Sequence, residues 1–66
     1  MIWFFHRNGE RLRYEIRHGA ATHDYELQVT FPDGRTEVQR TPDAAEFLER
    51  CAELGRTLKD QGWRAS

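Results

Sequence analysis

The dipeptide Asn8-Gly9, set between "IWFFHR" and "ERLRYEIRH", is the feature that most constrains the fold. A two-residue type I′ turn needs positive φ at both central positions, and Asn-Gly is the pair best suited to it. The run before the turn is apolar and aromatic, and the run after it alternates with period two, so both suit strands. The sequence therefore predicts a β-hairpin with strands at about 2–7 and 10–18.

The turn also predicts the register of this hairpin. With two loop residues, Phe5 opposes Leu12. Two residues further along each strand, Trp3 opposes Tyr14. Cross-strand partners share a face, and a slip by one residue would bury arginines instead, so we expect these four side chains to face the core. The opposite face then carries six residues that we select as the candidate contact surface: Ile2, Phe4, His6, Arg11, Arg13 and Arg17.

A second hairpin follows in "DYELQVTFPDGRTEVQR". The pattern alternates over 24–31, and Pro-Asp-Gly is a turn signal because Pro presets φ and Gly accepts the left-handed region. We expect a fourth strand at about 35–40, with Val38 as its apolar anchor opposite Val29. If Val38 opposes Val29, the sheet face opposite the core also carries Glu26, Gln28, Thr30, Arg35, Glu37 and Gln39. Four arginines and three glutamates would leave it with little net charge.

The period changes in "TPDAAEFLERCAELGRTLKDQGW", where apolar residues recur at helical spacing. This pattern predicts an amphipathic helix at about 42–61. Thr41 is the expected N-cap, with Pro42 at the first helical position. Gly62 is the expected stop, and Trp63 is expected to fold back as an anchor.

These elements predict an α+β fold, a four-stranded antiparallel meander with one C-terminal helix packed on one face. Sixty-six residues favour a single domain, 1–66, with a thin core, since a chain of this size buries only about 60% of its unfolded surface. One cysteine excludes an internal disulfide, and no Cys/His cluster has zinc spacing. We predict no metal and no cofactor.

The composition restricts the cellular compartment and the class of function that we expect. No apolar run approaches the roughly 18 residues of a membrane span, and the start of the sequence lacks a signal-peptide pattern. A free thiol fits a reducing compartment. We therefore predict a soluble cytoplasmic protein without membrane partners. Cys51 lies on the apolar stripe of the helix, and no nucleophile–histidine set or phosphate-binding loop occurs. We therefore predict a non-enzymatic protein without a small-molecule substrate.

Two functions stay open for the candidate surface. The first is an interaction module that binds a protein partner or its own copy, as a homodimer, through the uncovered sheet face or the edge of the first strand. The alternative is single-stranded DNA or RNA binding, in which a base stacks on Phe4 and the arginines contact phosphates. A net charge of −1 argues against a generic polyanion binder.

The order of four strands and a helix resembles the single-stranded-DNA-binding folds of the transcriptional positive-cofactor and Pur-alpha type, which pair as dimers and bind strands on sheet surfaces. Three strands followed by "TPDAAEFLE" are also similar to the plant ethylene-response-factor type of DNA-binding domain, whose sheet enters the major groove. The resemblance spans most of the chain and rests on topology. It implies nucleic-acid contacts for Arg11, Arg13 and Arg17.

Overall fold

A computed structural model describes residues 1–19, 21 and 23–65. One antiparallel sheet has the strand order β4-β3-β2-β1-β5, and a single helix lies on one of its faces. The predicted α+β fold is confirmed, whereas β5 was not predicted. The predicted loop at 19–23 lies partly outside the described residues. The elements are β1 (Ile2–Arg7), β2 (Glu10–His18), β3 (Tyr25–Thr30), β4 (Thr36–Thr41), α1 (Ala44–Asp60) and β5 (Arg64–Ala65).

The first hairpin has the predicted turn and register. Asn8 and Gly9 have φ values of 50° and 79°, as a type I′ turn requires. Phe5 pairs with Leu12, and Phe4 pairs with Arg13. The alternation of apolar and charged residues on β2 therefore separates a core face from the face that points away from α1, which we call the outer face.

The second hairpin differs from the prediction by one residue. The backbone N–H of Phe31 donates to the carbonyl oxygen of Arg35 at 2.8 Å, so three residues form the loop. Val38 then pairs with Gln28 instead of Val29, and it lies on the outer face with 48% of its surface exposed. The predicted role of Val38 as a core anchor is wrong, because one residue of register reverses the face of every side chain.

The helix begins later than predicted. Thr41 is the last residue of β4, and Asp43 is the N-cap, whose side chain accepts a hydrogen bond from the backbone N–H of Glu46 at 3.1 Å. Pro42 therefore precedes the cap and is not the first helical residue. The Thr41 hydroxyl accepts from the Asp43 N–H at 3.2 Å, so it supports the cap from outside the helix.

The helix ends as predicted and returns the chain to the sheet. Gly62 has a φ of 92°, and the N–H of Trp63 donates to the carbonyl oxygen of Leu58 at 2.9 Å. This bond and the left-handed glycine form a Schellman motif. Trp63 is buried, as predicted, and the guanidinium of Arg7 lies 4.4 Å from its ring centroid. The reversal delivers the next two residues to β1 as β5.

The core is small and off-centre. The helix packs against β3 and β4, and the half of the sheet formed by β1 and β2 is less covered. Trp3 was expected under the helix, yet 39% of its surface is exposed. The buried apolar residues are Phe5, Leu12, Tyr14, Leu27, Val29, Phe47, Leu58 and Trp63.

Candidate functional site

The six residues selected from the sequence lie together on the outer face. Strand alternation places three of them on β1 and three on β2, and the antiparallel pairing brings Phe4 beside Arg13 and His6 beside Arg11. Ile2 is 47% exposed, whereas Phe4 is half-buried. The grouping on one face is therefore as predicted, although its charge is not.

One row of directly paired residues across the outer face consists of two arginines and a histidine. His6 pairs with Arg11 of β2 on one side and with Arg64 of β5 on the other. Directly paired residues have Cβ atoms about 5 Å apart, so the two arginines flank the histidine. Neither arginine forms a salt bridge with a carboxylate of the described residues. We call Arg11, His6 and Arg64 the basic row.

An aromatic ring adjoins the basic row. The guanidinium carbon of Arg11 lies 4.6 Å from the centroid of the Phe4 ring, which is a cation–π contact. Arg13 pairs with Phe4 across the β1–β2 ladder, so a second arginine is the direct cross-strand neighbour of this ring. A flat ring bordered by arginines is the arrangement that proteins use to stack a base while contacting phosphates.

Carboxylates occupy the other end of the outer face. Glu15 accepts a hydrogen bond from Arg17 at 2.8 Å and lies 3.5 Å from the guanidinium of Arg13. The bond from Arg17 is the main cause that holds the pKa of Glu15 below its usual value, and the same bond raises the pKa of Arg17. Glu26 pairs with Arg40 at 3.3 Å. These carboxylates neutralise Arg13, Arg17 and Arg40, none of which belongs to the basic row.

The outer face as a whole is positively charged. The register of the second hairpin puts Arg40 on it and moves Glu37 to the helix side. Arg35 also lies on the helix side, with its guanidinium 4.3 Å from the Phe31 ring centroid. The expectation of a nearly neutral face is therefore wrong. Its arginines are Arg11, Arg13, Arg17, Arg40 and Arg64, against the two glutamates Glu15 and Glu26.

The edge of β1 is also different from the expectation. β5 pairs with β1 at Phe5 and His6, so β1 is not a free edge over those residues. Arg64 reaches the outer face through this pairing, and the sequence analysis missed it. The only signal was Gly62 followed by Trp63, which indicated that the chain folds back but not which strand it joins.

His18 and Cys51 take part in packing contacts. The ring of His18 stacks on Tyr25 with centroids 4.5 Å apart, and Cys51 packs against the core. Within residues 1–19, 21 and 23–65, no three or more His, Cys, Asp or Glu side chains are grouped as a metal site would need. α1, the helix of this part of the chain, lacks the length and apolar character to cross a bilayer.

Comparison with known proteins adds no family assignment. No protein-family model, no curated protein and no solved structure matches this chain.

Proposed function

We propose that the outer face binds single-stranded nucleic acid. The observation that carries this proposal is the basic row, Arg11, His6 and Arg64, beside the Phe4 ring, on a face with five arginines and two glutamates. Phosphate neutralisation supplies most of the affinity in such complexes, and the basic row has the charge for it. The net charge of −1 does not oppose binding, because the acidic residues lie mostly elsewhere.

In the proposed complex the arginines bind phosphates and the phenylalanine binds a base. Arg11 and Arg64 are exposed and form no salt bridge with a carboxylate among the described residues, so they contact phosphates at little cost in lost salt bridges. Phe4 and the Arg11 guanidinium over its ring form a stack onto which an unpaired base can add, and base–aromatic stacking contributes about 1–3 kcal/mol per base. A single strand can turn its bases onto the sheet, whereas the bases of a duplex are already stacked.

Self-association through the same face is the second candidate. Its support is the exposed apolar residue Ile2 together with Val38, which the register adds to this face. Two copies meeting through the outer face would bring together two surfaces with an excess of three arginines each. Like charges oppose such an interface, so we rank it below nucleic-acid binding.

The test uses fluorescence anisotropy with a labelled oligo(dT) and an oligo(U), each about 15 nucleotides long. Single-strand affinity falls with a log–log salt slope of about −0.7 per phosphate contact, so contacts from Arg11 and Arg64 predict a slope of about −1.4. Arg11→Gln and Arg64→Gln should each weaken binding several-fold and flatten the slope by about 0.7. Preference for one oligonucleotide would tell DNA from RNA.

The matched control is Arg50→Gln on α1, which removes the same charge from the helix side. It should leave affinity and salt slope unchanged. No binding at low salt, or an equal loss in all three variants, would contradict the proposal. Light scattering with and without the oligonucleotide tests the second candidate. A dimer whose mass does not change with the oligonucleotide, and which the substitution Ile2→Lys dissociates, would favour self-association through the outer face.

A further inference from the structure

A second surface lies on the opposite side of the sheet. Because α1 sits over β3 and β4, an open groove of about 550 Å³ runs between the helix and β1–β2. Its floor and wall are mainly apolar or aromatic, which is unusual for a surface left to water. The groove is lined chiefly by Trp3, Phe5, Tyr14, Ile16, Ala52 and Gly55.

Exposed apolar side chains border this groove. Met1 is 81% exposed and is held beside Ile16 by two backbone hydrogen bonds of 2.8 and 2.9 Å. Leu48 is 67% exposed and lies one helical turn before Ala52, on the same side of α1. Together with Trp3 they add exposed apolar surface beside the groove, and exposed apolar surface of this kind can mark an interaction site.

The absence of a side chain at Gly55 leaves room for a close approach to the helix. It lies inside the 17-residue α1, where glycine costs about 1 kcal/mol relative to alanine. A Cβ built on it would meet nothing within 4 Å, so no contact within the chain requires a glycine there. Absence of a side chain is useful where another backbone packs closely, and the open side of Gly55 faces the groove.

The charges along this side of α1 identify the occupant. Glu49 precedes Ala52, and Arg56 and Lys59 follow it, so one end of the stripe is acidic and the other is basic. If two identical helices cross antiparallel near Ala52 and Gly55, the acidic end of each meets the basic end of the other. A two-fold axis requires this self-complementarity.

We propose that the helix-side groove binds a second copy of this chain and forms a two-fold homodimer. A standard interface covers about 800 Å² per partner, about a sixth of the 4714 Å² surface of this chain. Burial of Trp3, Met1 and Leu48 would supplement a thin core. The outer face stays free in this dimer, so the proposal does not depend on nucleic-acid binding.

The first experiment is sedimentation velocity over a range of protein concentrations. Wild type should form a dimer, Gly55→Ala should weaken it several-fold because it adds a Cβ where the partner's backbone packs, and the larger Gly55→Gln should weaken it at least tenfold. Both substitutions remove a helix-interior glycine, so both should raise the unfolding temperature of the monomer. Loss of the dimer by a more stable variant therefore cannot come from unfolding.

The second experiment tests the orientation of the two copies. Glu49→Arg and Arg56→Glu should each weaken the homodimer, because each sets like charges against each other. An equimolar mixture should form a heterodimer, because both contacts between residues 49 and 56 become complementary. A wild type that stays monomeric at about 100 µM, a dimer unaffected by Gly55→Gln, or mixed charge variants that fail to associate would each overturn the proposal.

Discussion

Arg40 lies directly opposite Glu26 across the β3–β4 hairpin, with its guanidinium 3.3 Å from the carboxylate. This pairing follows from a three-residue loop between Phe31 and Arg35. A loop one residue longer would exchange the two faces of β4 and bring Glu37 to the outer face. The length of one turn therefore sets part of the positive charge of the outer face, and Arg64 of β5 adds another part.

The register predicts unequal effects of two valine truncations. Val29 is fully buried, and Val29→Ala should lower the free energy of unfolding by about 2 kcal/mol through lost burial and a cavity. Val38→Ala on the outer face should cost less than about 0.5 kcal/mol. Urea unfolding measures both. Equal losses would contradict the register.

The position of the helix cap predicts the effect of removing one carboxylate. Asp43→Ala should lower the free energy of unfolding by about 1 kcal/mol, because the N–H of Glu46 loses its acceptor. Asp60→Ala is the control at the other end of α1, where a negative charge opposes the helix dipole, and it should be neutral or slightly stabilising. Denaturant titration of both variants distinguishes them, and an equal loss would argue against Asp43 as the cap.

Glu15→Gln should strengthen nucleic-acid binding. The substitution removes the negative charge that holds Arg13 and Arg17, so both guanidiniums become available to phosphates. The salt slope should become steeper by up to about 0.7 for each arginine that gains a contact. Anisotropy with the oligonucleotides used above measures the change. An unchanged affinity and slope would show that these arginines do not contact the strand.

The lowered pKa of Glu15 predicts part of the loss of folding stability at acid pH. Its pKa is lower in the folded chain than in the unfolded chain, where it is near 4.5, because Arg17 stabilises the carboxylate. Its contribution to stability is present above about pH 4.5 and is lost as the pH falls through the folded value. Stability curves from pH 7 to 2 should therefore be flatter for Glu15→Gln. Parallel curves would refute this linkage.

Tyr14 predicts a loss of stability at alkaline pH. Burial is the main cause that raises the pKa of its phenol, and Cys51, whose carbonyl oxygen accepts from the hydroxyl at 3.4 Å, adds to the increase. The unfolded phenol ionises near pH 10, so stability present below that pH is lost as the pH rises beyond it. Tyr14→Phe should reduce this loss in unfolding experiments at pH 9 to 11. An identical decline in both proteins would contradict it.

Local chemistry was sufficient for much of the fold. Asn8-Gly9 determines the register of the first hairpin, because a two-residue turn leaves one way to pair the strands. The helical spacing and Gly62 likewise predict α1 and its end. The cap was misplaced because Thr41 and Asp43 are both good caps, and only the extent of β4 decides between them.

The sequence by itself determined the four main strands, the helix, the first register and the grouping of six residues on one face, because these depend on short-range turn geometry and on period. Tertiary structure decided the size of the positive charge on that face. The Pro-Asp-Gly loop permits more than one length, and the folded chain adopts the three-residue form, which places Val38 on the outer face and Glu37 on the helix side. It also decided that Arg64 joins His6, since the pairing of β5 with β1 depends on where the helix returns the chain.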